Sequence, residues 1–285
     1  MSIVIGTNKS SLLAANYLSA NQTQLSNTLS SLSSGSRLTN PSTDSGGLAV
    51  SMQLTATANR DSALINTIAN AQSFLQTQNG ALQVATSIVD RISQLVTMSK
   101  DVTLTSTNTA NYNTEFSQLQ SELTTIIGAQ YNGIALFTSG TVTGSLSVLS
   151  TNDLSTSNAI SIVQLNLGGT SGGIGNLAAV STSNSIQTGY NSLTAIGASD
   201  ITSFVNIIAT YAATNGAEQS RLNFASQLAT NDRTSLQSAN SSISDTDIAQ
   251  ATTALAKWNV LVQAGTSMLT QANNSAQTVL KLITG

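Results

Sequence analysis

Two rows of small and apolar residues run along the end of the chain. One holds Ile248, Leu255, Val262, Leu269 and Ala276; the other holds Ala251, Trp258, Gly265, Ala272 and Val279. Each row repeats every seven residues and the second is offset from the first by three. Together they trace a single stripe along a helix, the pattern of a seam that packs against another helix. Ser244 and Asp247 precede the stripe at the spacing of a capping box, where a hydroxyl and a carboxylate satisfy free N–H groups. At the other end Leu18, Leu25 and Leu32 recur in the same way, with Leu29 completing an i, i+4, i+7 set. Gly35 predicts a helix stop and Asn40-Pro41 a turn. Neither stripe has a local element to cover it. The two ends are therefore expected to pair with each other, with further copies of the chain, or both.

Between these ends the helical period continues. Thr43 or Asp44 can cap a second, longer helix whose first turn is weakened by Gly46-Gly47. Its row runs through Leu64, Ile68, Ala71, Leu75, Gln78, Leu82, Ala85, Val89, Ile92 and Val96. Only Gln78 is polar, and a polar residue in a seam sets register at some cost in stability. A Ser/Thr/Asn-rich passage over 103–113 ends the run, and a shorter helix follows with Phe116, Leu119, Leu123 and Ile126 on one face. Gln130-Tyr131-Asn132-Gly133 reads as a turn leading into an extended Ile134–Phe137.

Alternation replaces the helical period from about Thr138 to Ser199. Val142, Leu146 and Val148 share a face, and Ile160 to Leu167 reads as a second strand or two short ones, predicting a hairpin followed by a flexible Gly168–Asn176. Such a passage is the natural place for an exposed, variable insert. After Ser199, a good N-cap, the heptads return through Ile201, Ile208, Asn215, Leu222, Ala229, Leu236 and Ile243. The order is that of a folded ribbon: helices up, a β tip, helices down. The fold class expected is mainly α, with long antiparallel helices and a small central β-hairpin region.

Composition narrows the function. The 285 residues contain 9 basic and 12 acidic side chains, a net charge of −3, with no basic run to hold phosphates. Charged residues are 7% of the chain, well below the roughly 25% of an ordinary domain, so its helices must be specified by apolar packing and neutral hydrogen bonds. There is no Cys and no His, which removes disulfides, thiolate chemistry and the commonest general base and metal ligand. The single Pro suits long helices. Met1–Gly6 lacks the basic flank and apolar core of a cleaved signal peptide, and no stretch approaches the roughly 20 apolar residues of a membrane span.

Four local motifs carry a resemblance. Leu32-Ser33-Ser34-Gly35-Ser36-Arg37-Leu38 with Asp44-Ser45-Gly46-Gly47-Leu48-Ala49-Val50 resembles the N-terminal signature of bacterial flagellin. Gln130-Tyr131-Asn132-Gly133 is similar to that family's Gln-(Phe/Tyr)-Asn-Gly turn. Ile243-Ser244-Asp245-Thr246-Asp247, and the stretch from Gln263 to Asn273, resemble its C-terminal signature. The match covers roughly 1–137 and 200–285 in the right order.

The resemblance implies a terminal coiled coil at the filament core, built from 1–40 and 244–285, whose ends are disordered in the free monomer. It implies a rod-like helical bundle from 41–138 and 200–243, and it leaves 139–199 as a β-hairpin with a short variable surface insert. It further implies a homopolymer outside the cell, exported unfolded through a flagellum-specific type III channel without a cleaved signal. The partners it implies are a filament cap protein, hook-junction proteins and an export chaperone. The subunit-interface residues expected are Leu18, Leu25, Leu29, Leu32, Arg37, Ile248, Leu255, Trp258, Val262, Gly265, Leu269, Ala272 and Val279. One departure counts against recognition by the innate immune Toll-like receptor. Members that it binds carry Arg-Val-Arg-Glu-Leu where this chain has Arg91-Ile92-Ser93-Gln94-Leu95, losing a guanidinium and a carboxylate.

Other readings are weaker. An ordinary intramolecular bundle would also bury such stripes. A hook–filament junction protein shares the N-terminal pattern but generally lacks the Gln263–Asn273 ending. A secreted membrane-active translocator would want Lys and Arg on the polar helix face, where these helices have few. Trp258 fits a packed seam better than a ligand platform, and Gly265 would let a neighbouring helix approach closely. Arg37, beside the Gly35 stop, fits equally well as a ligand of a neighbouring copy's carbonyls or carboxylate, or as a solvated side chain. Asp245 and Asp247 fit a helix start rather than a metal site, and the glycines of 168–175 lack a Walker lysine. A zinc-protease insert needs His-Glu-x-x-His, and no Ser or carboxylate pair has a catalytic context. No enzymatic role, cofactor, metal, nucleic acid or membrane is expected.

Overall fold

Each heptad-bearing stretch is helical in the computed structural model, which describes residues 8–138, 145–151, 158–169, 174–178 and 192–284. Helix α1 spans Lys9–Ser34; the Asn8 side chain accepts from the Ser11 N–H at its start, and Gly35 ends it in the left-handed region with φ 71°. Helix α2 spans Ser45–Ser99, a run of 55 residues. Its first turn is capped by Asp44 Oδ1, which accepts from the Gly47 N–H at 2.7 Å. A Cβ at Gly47 would collide with that same carboxylate, so this glycine makes room for the cap rather than merely weakening the turn.

Helix α3, Ser106–Ile127, begins inside the passage expected to be irregular. Thr105 accepts from the Asn108 N–H there, and a threonine cap at the head of a polar run is enough to start the helix early. Strands β1 (Gln130–Tyr131) and β2 (Ile134–Ala135) then form a two-residue hairpin. Asn132 and Gly133 both have positive φ, 50° and 79°, as a type I′ turn requires. Gly133→Ala places a Cβ in that region and is expected to cost about 1–2 kcal/mol. A lower urea midpoint with an unchanged far-UV spectrum would register it.

The expected β-hairpin is present. Strands β3 (Ser145–Leu149) and β4 (Ala159–Val163) are antiparallel, with Leu146 opposite Ile162 and Val148 opposite Ile160. Ile160 and Ile162 are buried while Ser161 between them is exposed, the alternation of a half-covered sheet. Val142 lies outside the described residues, as does part of the Gly168–Asn176 segment expected to be flexible. Within that segment Ile174 is buried and Gly175–Ala178 forms one short turn, α4. Helix α5, Ala198–Ser244, starts one residue before the expected Ser199 cap. Asp200 closes its start instead, its Oδ2 accepting from the Gly197 N–H at 2.8 Å. Helix α6 spans Ile248–Thr284.

The chain forms two units. One holds the residues up to Ala58 together with those from Thr234 onward; the other holds Asn59–Arg233. In the second unit all ten members of the α2 row from Leu64 to Val96 are buried, against Phe116 and Leu123 of α3 and Phe204, Ile208, Leu222 and Ala229 of α5. Gln78 is buried with its polar atoms used: its Nε2 donates to the Leu136 carbonyl at 2.7 Å, and its Oε1 accepts from Asn215 Nδ2 at 2.7 Å. Asn215 Nδ2 also donates to the Leu75 carbonyl at 3.0 Å. The two polar heptad positions thus meet each other and fix the register of α2 against α5.

Further polar side chains of the helices hold the non-helical passage by its backbone. Gln120 donates to the Leu177 carbonyl, Tyr211 donates to that of Asn166, and Asn113 accepts from the Leu193 N–H. In a chain so poor in charge, these neutral bonds do the work that ion pairs do elsewhere. A close ion pair also crosses helices in this unit, Arg91 with Glu115 at 2.6 Å.

Candidate functional site

The first unit is built differently. Helix α1 contains no buried residue, and the only buried apolar side chains of this unit among the described residues are Leu38 and Ala58. Helices α1 and α6 lie side by side and antiparallel. Asn8 Nδ2 donates to the Ala272 carbonyl at 3.0 Å, Ser11 Oγ donates to Asn273 Oδ1 at 2.8 Å, and the far end of α1 meets the start of α6.

The seam on α6 follows the expected stripe. Ala251, Leu255, Trp258, Val262, Gly265, Leu269 and Ala272 are all half-buried, while Ile248 and Ala276 at the ends are exposed and the Val279 side chain lies outside the described residues. A Cβ at Gly265 would sit 3.2 Å from Leu18 Cδ1, so the glycine marks a close approach of the two helices. Lys257 Nζ lies 5.1 Å from the Trp258 ring centroid, a cation–π distance.

On α1 the seam differs from expectation in one place. Leu18, Leu25 and Leu32 are half-buried as expected, but Thr28 fills the intervening position and Leu29 is 55% exposed. A seam that advances 3.5 residues per turn takes the residue three beyond Leu25, and the residue four beyond it is carried round to the outside. The half-buried row is thus Ser11, Ala14, Leu18, Asn21, Leu25, Thr28 and Leu32.

Where the chain leaves this pair it is clasped. Arg37 N–H donates to the Ser244 carbonyl at 2.8 Å, Thr246 N–H donates to the Gly35 carbonyl at 2.9 Å, and Ser36 bridges Asp245 antiparallel. The Arg37 guanidinium donates to the Ile243 carbonyl and lies 3.7 Å from the Asp44 carboxylate. The side chain read as either a ligand of a neighbouring copy or a solvated group thus has partners in its own chain. Asp247 caps α6, its Oδ1 accepting from the N–H groups of Ala249 and Gln250. The expected Ser244 half of a capping box does not form: Ser244 is the last residue of α5 and its hydroxyl donates to Asp245.

Two helices have no third layer, so the pair leaves apolar side chains in water. Leu12, Leu13, Tyr17, Leu29, Val260 and Met268 are exposed, Tyr17 and Met268 each to 64%. Leu13, Tyr17, Leu261, Gly265 and Met268 line a groove of about 520 Å³ along the pair. The seam-based reading passed over most of these residues because it sought one stripe per helix. Their signal in the sequence was a second apolar spacing, Leu13 to Tyr17 on α1 and Leu261 to Met268 on α6. No helix among the described residues is long and apolar enough to cross a membrane, and none of their acidic side chains gather in a group that could hold a metal ion.

Comparison with known proteins bears on this arrangement. The bacterial flagellin N-terminal helical region matches residues 5–143, and the bacterial flagellin C-terminal helical region matches 199–283. The chain is 29% identical over 288 residues to a flagellin of Listeria monocytogenes, covering 98% of this chain and 99% of that one. It is also 29% identical over 286 residues to the flagellar filament 30.7 kDa core protein of Treponema maltophilum, covering 99% and 100%. A flagellin of Halalkalibacterium halodurans is 28% identical over 295 residues, with 99% and 100% covered.

Proposed function

The chain belongs to the bacterial flagellin family, and on that premise we propose that it is a structural subunit of the flagellar filament that polymerises through the open faces of its terminal helix pair. The observation that carries the mechanism is the contrast between the units. One buries a continuous core; the other orders a helix of 26 residues against one of 37 with no buried residue in the shorter. Ordering backbone costs about 1–2 kcal/mol per residue, and a fully buried Leu returns about 1.5–3 kcal/mol. Half-buried leucines offset little of that cost. Copies that cover Leu13, Tyr17, Leu29, Val260 and Met268 would supply the missing layer.

In this reading 1–40 and 244–285 form the filament core, 41–138 and 200–243 the helices around it, and 139–199 the outer surface. The subunit is exported and adds at a growing end beneath a cap protein. The α6 stripe serves first as the seam to the chain's own α1, and Ile248 and Leu29, exposed at its margins, go to neighbouring copies. Recognition of the Arg91–Leu95 stretch by the innate immune receptor is not expected. Arg91 is already held by Glu115 and Gln94, and Ile92 and Leu95 are buried.

Electron microscopy of the purified, concentrated protein tests the reading. Helical fibres of uniform width are expected, growing above a threshold concentration. Discrete particles at every concentration, with both chain ends resistant to protease, would overturn it.

A further inference from the structure

Glu218 is out of keeping with the rest of this chain. Charged residues are 7% of the sequence, yet this carboxylate is 7% exposed on α5, against the edge of the β3–β4 hairpin. Its Oε1 accepts from the Val163 N–H of β4 at 3.0 Å, while its Oε2 is buried with no hydrogen-bond partner among the described residues. An ionised carboxylate presents two acceptor oxygens and a full charge, and burying that charge with half its acceptors unmet is far costlier than burying the neutral acid.

We propose that Glu218 is a proton-operated latch that holds the β3–β4 hairpin on α5 more firmly as the neutral acid than as the carboxylate. The surroundings offer little to offset the charge. Arg221, also on α5, is the cation that bears on it among the described residues; α5 has no other charged residue between Asp200 and Asp232. Helix α2 carries none between Asp61 and Asp90, and the β3 and β4 residues carry none. Tyr211, further back along α5, donates to the Asn166 carbonyl and is pushed up by burial, so it stays neutral through the range concerned.

Burial likewise pushes the Glu218 carboxyl above its ordinary value, against the opposing pull of the Val163 N–H and of Arg221. The sign follows. With the hairpin undocked, Glu218 is solvated and titrates as an ordinary carboxylate; docked, it holds its proton to higher pH. Docking is therefore at full strength in acid. It weakens as pH rises between the two values, by at most about tenfold in the docking constant per pH unit, and is level again above the docked value.

Amide hydrogen exchange at Val163, followed by NMR on the full chain held below its assembly concentration, tests the latch. The protection factor is expected to fall with rising pH by up to about tenfold per unit across that window in the wild type. In Glu218→Gln, whose amide oxygen can still accept from Val163, it should be level. Equal pH dependence in the two chains would overturn the proposal. Should the variant fold poorly, direct titration of the Glu218 side-chain carboxyl carbon in the wild type decides. A midpoint above the ordinary carboxylate value supports the latch, and an ordinary or lower midpoint removes it. Neither readout depends on fibre formation, so the filament reading and this one fail separately.

Discussion

A chain carrying Leu255→Asp is expected to keep its second unit intact and to lose assembly. Leu255 sits half-buried in the α6 seam, in a row whose other members are Ala251, Trp258, Val262, Gly265, Leu269 and Ala272. Closing a third helix layer over the pair would take it fully out of water. Because Leu255 is already half-buried, the substitution forfeits a remaining apolar gain of roughly 1 kcal/mol, and the unpaired carboxylate in its place costs about 3 kcal/mol or more in the closed seam. At about 1.4 kcal/mol per tenfold, that raises the concentration needed for assembly by at least about a hundredfold. Val262→Asp, one heptad on, should behave alike. The check is sedimentation of fibres beside a thermal melt: fibres absent, main transition unmoved. Fibres at the wild-type threshold would remove the seam from the assembly mechanism.

Gln78→Leu should act on the other unit and on stability alone. The replacement is apolar and of similar size, so a core that wanted only grease at this heptad position would accept it. Here it leaves the Leu136 carbonyl and one Asn215 N–H buried and unpaired. Each unpaired group costs about 1–3 kcal/mol, for a total of roughly 2–6 kcal/mol. Asn215→Leu alone should cost a comparable amount. The double variant should cost less than the sum of the singles by about 1 kcal/mol or more, because each single strands a partner that the double removes. Urea unfolding of the four chains measures this. Additive costs would show that the two amides do not act as a pair.

Much of this architecture could be read from residue spacing. The heptad row of α2 came through position by position, and that of α6 from Ala251 to Ala272, since a helix turning every 3.6 residues leaves only one way to bury a 3–4 repeat. Asn132-Gly133 declared its turn, because few residue pairs tolerate two consecutive positive φ values. Helix starts were less legible. Thr105, Asp200 and Asp247 act as caps, whereas Ser199 and Ser244, equally good on paper, do not. A cap depends on which side chain reaches a free N–H, and several polar neighbours compete for each one.

The candidate surface divides the same way. Its seam was legible in the sequence as a stripe; its outer face showed there only as a second apolar spacing that did not say which side faces water. Leu25 and Leu29 look alike in a list of apolar positions, and only the geometry of a supercoiled pair sends Thr28 inward and Leu29 out.

What the sequence determined by itself is the kind of molecule: charge-poor heptad helices at both ends, a β tip between them, and neither Cys nor His anywhere along the chain. These are properties of local period and composition, which every turn of helix or strand repeats. What only the tertiary structure decided is which contacts are spent inside the chain and which are left over. Gln78 and Asn215 lie far apart in sequence and meet because two helices run antiparallel. Glu218 is buried because a hairpin happens to lie across it. Tyr17 and Met268 stay in water because two helices, however well matched, cannot surround each other.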